Sequence, residues 1–194
     1  MRPKIGVFGS SAGPELESMT TKAKAVGTAL AFFDPILITG ACAGLPYAAA
    51  LAAREHGCTE LWGFSPATDY KGQVAITPEC DNTIYSSLIY IPEHYEFRND
   101  IKVARKYRNV TSTATCDAGI IISGRWGSMN EFTNLFDMGK IIGVLTDTGG
   151  IADELATLEK KIRKPGNAII IFDSSPEALV RRIIETLKKR MRDK

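Results

Sequence analysis

Residues 117–132, Asp-Ala-Gly-Ile-Ile-Ile-Ser-Gly-Arg-Trp-Gly-Ser-Met-Asn-Glu-Phe, constrain this chain more than any other stretch. They begin with an unbroken apolar run, Ala118 to Ile122. A run of that length with no polar alternation is a strand buried on both faces, the kind found in parallel sheets. It breaks at Ser123-Gly124-Arg125-Trp126-Gly127, and a helix pattern opens at Gly127-Ser128. Glu131 stands three residues after Ser128, the spacing of a capping box. Strand, glycine turn and helix N-terminus make a place for a phosphate. Unpaired backbone N–H groups and the positive end of the helix dipole converge there.

The rest of the chain repeats the alternation. Strands are predicted at Ile5–Phe8, Ile36–Thr39, Glu60–Ser65, Ile84–Ile91, Ile141–Leu145 and Ala168–Phe172. A helix is predicted from about Glu15, with Leu16, Met19, Ala23, Val26 and Leu30 on one face. Others run from Leu45-Pro46 to Gly57, from Phe97 to Thr113, from Gly127 to Met138, from Ile151 to Ile162 and from Ser174 to Met191. Residues 66–82 carry turn residues without a clean period and are read as an irregular excursion with one short strand near Val74–Ile76. The pattern predicts an α/β protein in one domain, 1–194, with an open, mainly parallel sheet of about seven strands and helices on both faces. Such sheets bind ligands beyond the carboxyl ends of their strands. Three small-residue turns fall there: Gly9–Gly13, Gly40–Gly44 and Ser123–Ser128.

Composition narrows the function. A net charge of +2 gives no case for a nucleic-acid or membrane surface, and the basic residues gathered at the C-terminus read as a solvated helix end. Four cysteines without C-x-x-C spacing and only two histidines argue against a metal site and for reduced thiols in a cytoplasmic protein. No signal peptide or membrane-spanning run is visible. The first turn lacks G-x-G-x-x-G, and no glycine turn is followed by Gly-Lys-Ser/Thr, so neither a dehydrogenase nor a Walker-type NTPase is expected. No lysine lies in any glycine turn to form a Schiff base with pyridoxal phosphate, which excludes a decarboxylase of that kind.

Ser123-Gly124-Arg125-Trp126-Gly127-Ser128-Met129-Asn130-Glu131 resembles the P-G-G-x-G-T-x-x-E motif of the LOG family. That family comprises the cytokinin-activating phosphoribohydrolases and relatives often labelled lysine decarboxylases. Val7-Phe8-Gly9-Ser10-Ser11 is similar to its first strand and turn, and Thr39-Gly40-Ala41-Cys42-Ala43-Gly44-Leu45 to its G-G-G-x-x-G-L turn. Arg108, nine residues before Asp117, falls where the family carries its catalytic arginine, and Lys140 to Leu145 resembles the next strand. The likeness covers nearly the whole chain and is strongest to a shorter branch with Arg-Asn where plant-type enzymes have Arg-Lys.

The resemblance implies a three-layer Rossmann-like fold and cleavage of a nucleoside 5′-monophosphate into free base and ribose 5-phosphate. It implies catalysis by Arg108 and Glu131. Phosphate or nucleotide contacts are implied from Gly9, Ser10, Ser11, Gly40, Gly44, Gly124, Arg125, Gly127 and Ser128. It implies no cofactor, a small-molecule nucleotide or phosphorylated ligand as partner, and a homodimer. Three positions depart from the motif: Ser123 for proline, Arg125 for the second glycine, Ser128 for threonine. Arg125 either hinders a backbone that must approach phosphate or adds a charged donor. Non-catalytic holding of a nucleotide-derived ligand, as by a molybdenum-cofactor carrier, is the alternative. Trp126 reads first as a partly buried packing residue and second as a base stacker. Glu131 as a mere cap partner and Arg108 as a surface ion-pair partner are the bland readings.

Overall fold

The computed structural model describes residues 2–13 and 16–192. Among them seven strands alternate with seven α-helices: β1 Lys4–Gly9, α1 Leu16–Ala31, β2 Ile36–Thr39, α2 Leu45–Glu55, β3 Glu60–Phe64, α3 Tyr70–Ile76 and β4 Ser87–Ile89. Then follow α4 Ile101–Thr115, β5 Ala118–Ile122, α5 Trp126–Asp137, β6 Ile141–Leu145, α6 Gly150–Lys161, β7 Ile169–Asp173 and α7 Pro176–Arg192. The strands form one sheet in the order β4-β3-β2-β1-β5-β6-β7, every neighbouring pair parallel. The α/β architecture expected from the pattern is therefore present.

Side-chain alternation sorts the core into two layers. Ile5 and Val7 of β1 and Ile120 and Ile122 of β5 pack with α1, α2 and α7 on one face. Phe8, Ile121, Ile142 and Val144 point the other way, toward Phe132 and Leu135 of α5 and Ala152 and Leu155 of α6. All five residues of β5 are buried. Burying Ile120, Ile121 and Ile122 stabilises the fold by about 1.5–3 kcal/mol each. The strand that carries the motif is thus anchored in the middle of the sheet.

The chain runs outward from β1 to β4, and α4 then brings it back so that β5 pairs with the free side of β1. The strand order reverses between β1 and β5, the position where such sheets open a crevice.

Four expectations change. Val74–Ile76 lies in α3, not a strand, because Asp69 caps a helix there by accepting the Gly72 N–H at 2.7 Å. The fourth strand shrinks to Ser87–Ile89 behind a 3-10 turn, Asn82–Ile84. Helix α4 starts at Ile101 rather than Phe97, since Asp100 accepts the N–H groups of Lys102 and Val103. Helix α5 opens at Trp126, one residue early. The start placed at Glu15, and Pro14 before it, lie outside the described residues.

Candidate functional site

A cleft of about 370 Å³ opens at the carboxyl ends of β1, β2 and β5. Its size suits a small ligand. The turn after β1 gives it Ser10 and Ser11, the turn after β2 gives Gly40 and Cys42, and α4 and α5 supply the charged walls. A larger groove of about 860 Å³ runs between α5 and the α6–β7 connection, away from these turns.

The N-terminus of α5 is left open. Arg125 sits at the cap position with φ −126°, and its side chain makes no cap hydrogen bond. The N–H groups of the opening residues therefore have no partner within the helix. Ser128 is inside the helix rather than at its cap, so the capping box does not form. Glu131 is released from that role: its residue is 7% exposed and lines the cleft. Burial pushes its carboxyl up to about 7, against the pull of Arg108 and Lys106. Gly127 also lines the cleft, and a Cβ there would meet nothing within 4 Å. The first turn of α5 thus presents bare backbone to the cavity.

The three departures from the motif have definite consequences. Arg125 adopts an ordinary extended conformation that any residue tolerates, and it lines the cleft. Ser123 sits at φ 53°, a left-handed conformation closed to proline. Ser128 keeps a hydroxyl and is buried at the cleft wall. Trp126 is 83% exposed and absent from the cleft lining, so the partly buried packing role is corrected: at the first helical position it points outward.

A chain of hydroxyls fixes the turn. Ser10 Oγ accepts the Gly124 N–H at 3.0 Å and lies 3.2 Å from Ser123 Oγ. The Ser123 N–H donates to Thr148 Oγ1 at 2.8 Å, and that hydroxyl donates to the Leu145 carbonyl at 2.6 Å. Gly124 has φ 101°, and a Cβ on it would stand 2.4 Å from Ser128 Cβ. Gly44, with φ 81°, packs where a Cβ would meet the Ser10 carbonyl at 2.4 Å. Gly44 is packed against the Ser10–Ser11 backbone and Gly124 against the Ser128 side chain, and neither lines the cleft. The other expected site residues do line it: Gly9, Ser10, Ser11, Gly40, Arg108, Arg125, Gly127, Ser128 and Glu131.

Arg108 reaches across from α4. It is 8% exposed, and its Nη1 donates to the Gly40 carbonyl. A Cβ on Gly40 would collide with that guanidinium. Its Nε, like Asn109 Oδ1, is buried without a hydrogen-bond partner among the described residues. The Gly40-Ala41 turn is gripped from behind. Gln73 Nε2 donates to the Ala41 carbonyl at 2.8 Å, and Thr39 Oγ1, 3.0 Å from the Tyr85 hydroxyl, accepts the Ala41 N–H at 3.1 Å. Sequence reading missed Gln73 because it treated residues 66–82 as irregular. It also missed Lys102, Arg105 and Lys106, cleft residues whose i, i+3, i+4 spacing was a readable signal of one helix face. Cys42, beside Arg108, lines the cleft too; burial pushes its thiol up, so it stays a thiol. Among the described residues, no group of three or more His, Cys, Asp or Glu could hold a metal ion, and no helix is long and apolar enough to cross a membrane.

Parallel sheet, reversed strand order and strand-end cleft define a Rossmann-like α/β fold. The chain belongs to the SLOG cluster4 family, whose model matches residues 2–180. Among solved structures it is similar to TM1055, at TM-score 0.75 and 19% identity over 94% of this chain and 99% of that one. It is also similar to the molybdenum cofactor binding protein of the phototrophic bacterium Rippkaea orientalis, at TM-score 0.66 and 19% identity over 96% and 98%. DNA processing protein A of Helicobacter pylori, whose structure describes single-stranded DNA binding, matches at TM-score 0.62 and 19% identity over 97% and 81%. These likenesses show a common fold. No curated protein matches the sequence.

Proposed function

We propose that the cleft binds a nucleotide through its phosphate on the first turn of α5, and that Arg108 and Glu131 cleave the N-glycosidic bond of a nucleoside 5′-monophosphate. The products are free base and ribose 5-phosphate, as the LOG resemblance implies. One observation carries this reading: bare helix N-terminus, buried arginine and buried carboxylate face one cleft. Phosphate on Gly127 and Ser128 directs the ribose toward Glu131. Glycosidic cleavage develops positive charge on the sugar, which a carboxylate stabilises while orienting water. A carboxyl raised to about 7 also exchanges a proton readily near neutral pH. Arg108 supplies fixed positive charge, with an Nε still lacking an acceptor.

Two observations favour a second reading, in which the cleft holds its ligand without turnover. Ser123 gives the turn a shape proline cannot take, and the fold likeness includes a molybdenum cofactor binding protein over almost its entire length. Incubation with AMP and assay of ribose 5-phosphate separates the two. Catalysis requires product that disappears in Glu131→Gln while AMP binding persists. Tight AMP binding with no product, indifferent to Glu131→Gln, leaves only the holding role. We further infer a cytoplasmic homodimer through the helices flanking the cleft, supported by exposed Trp126 on α5 and Val110 on α4. Sedimentation of Trp126→Glu as a monomer, against a wild-type dimer, is the expected result.

A further inference from the structure

We propose, resting on the nucleotide reading above, that the ligand carries two phosphate groups: one on the α5 turn and a second against Lys102, Arg105 and Lys106 of α4. Among the described residues the cleft wall holds five cations, Lys102, Arg105, Lys106, Arg108 and Arg125, and one carboxylate, Glu131. The whole chain carries only +2, so positive charge is concentrated here and the rest of the molecule is slightly acidic. One phosphate monoester carries about −1.5 to −2 near neutral pH. The open end of α5 with Arg108 and Arg125 already balances that. Three cations remain.

Those three occupy successive turns of one helix face and are exposed. Among the described residues none of them enters an ion pair. Like charges at this spacing repel and weaken the helix. The nearest acid in sequence, Asp100, is used as the helix cap, where it accepts the N–H groups of Lys102 and Val103. A second anion would relieve the repulsion. Independent of charge, two polar atoms more than nine-tenths buried in cleft-lining residues lack partners: a donor, Arg108 Nε, and an acceptor, Asn109 Oδ1. Arg108 and Asn109 lie two and three residues beyond Lys106 on α4. A phosphate oxygen suits the first, and a ribose hydroxyl suits the second.

Calorimetric titration at constant ionic strength tests this with four probes: AMP, ADP, adenosine 3′,5′-bisphosphate and a short thymidine oligonucleotide. ADP or the bisphosphate is expected to bind at least about tenfold tighter than AMP. Whichever wins reports whether the second phosphate adjoins the first or lies across the ribose. The triple variant Lys102→Ala/Arg105→Ala/Lys106→Ala should lose that advantage, so that AMP, ADP and the bisphosphate bind it within about threefold of one another. Its melting temperature, measured alongside, checks folding. Equal binding of AMP, ADP and the bisphosphate would overturn the inference and leave the nucleotide reading standing. So would a triple variant that weakens all three by one factor. Binding of the oligonucleotide alone, or of none of the probes, would overturn both.

Discussion

The junctions β5–α5 and β6–α6 are built from the same parts: a buried strand, a small-residue turn with left-handed backbone, and a helix. Their helix ends have opposite fates. In the β6–α6 junction the free donors are consumed internally. The Gly149 N–H donates to Asp153 Oδ2 at 2.8 Å, Ile151 N–H to the Gly124 carbonyl at 2.8 Å, and Ala152 N–H to the Ser123 carbonyl at 3.2 Å. The acceptors for two of these come from the neighbouring turn. The β5–α5 junction spends its own carbonyls on that neighbour and keeps its helix donors free, facing the cleft. One junction supports and the other binds, although a helix N-terminus is an anion site in either case until something occupies it.

The largest expected effect separates the two junctions by their acids. Glu131→Gln should cut ribose 5-phosphate release by roughly 10²–10⁴-fold, the range for losing an acid–base group. Asp153→Asn, which touches only the closed junction, should leave release nearly unchanged. Equal losses in steady-state assays would erase the distinction. Next in size is backbone strain. Gly124→Ala forces φ 101° on a residue with a Cβ and drives it against Ser128; Gly150→Ala does the same against the Gly124 carbonyl at 2.4 Å. Each should cost roughly 2–3 kcal/mol in urea unfolding.

A pH effect of similar size is expected at the open junction. The Glu131 carboxyl has an ordinary value of 4.5 when unfolded and is raised to about 7 in the fold. The folded state then holds the proton more tightly. The associated stability is fully present below about pH 4.5 and is lost as pH rises through 7. Between pH 5 and pH 8, wild type should lose roughly 2–3 kcal/mol relative to Glu131→Gln in parallel denaturation series. A pH-independent difference would mean that Glu131 is not held in a desolvated site. The smallest effect has the opposite sign. Gly127→Ala meets no neighbour and replaces a helical glycine, so it should stabilise the fold by about 0.5–1 kcal/mol while weakening AMP binding. Thermal melting and titration of the same variant read both.

Much of this contrast was legible in the sequence, and the rest was hidden for physical reasons. Apolar runs such as Ala118–Ile122 and Ile141–Leu145 read as two-faced strands because they are short, rich in β-branched isoleucine and bounded by turn residues. The motif likeness singles out Arg108 and Glu131, distant in sequence, and both line one cleft. The start of α5 was misread because Ser128 is the better cap by residue type, whereas the chain direction leaving β5 put Arg125 at the cap. Val74–Ile76 looked like a strand because β-branched residues favour one, and the Asp69 cap outweighed them. The assignment of Gly124 and Gly44 to binding followed the motif likeness; their close-packed positions depend on where Ser128 and Ser10 stand in space. Gln73 and the cations of α4 join the site only because α3 and α4 cross behind and beside the β2 turn. That relation belongs to topology, and local pattern does not carry it.

The central claim is that free donors at the start of α5 receive phosphate while those of α6 do not. Backbone amide NMR during titration with AMP tests it most directly. The account expects the N–H signals of Gly127 and Ser128 to shift saturably, with those of Gly149, Ile151 and Ala152 staying in place. Saturable shifts confined to the α6 amides, or none at Gly127 and Ser128 at saturating AMP, would contradict it.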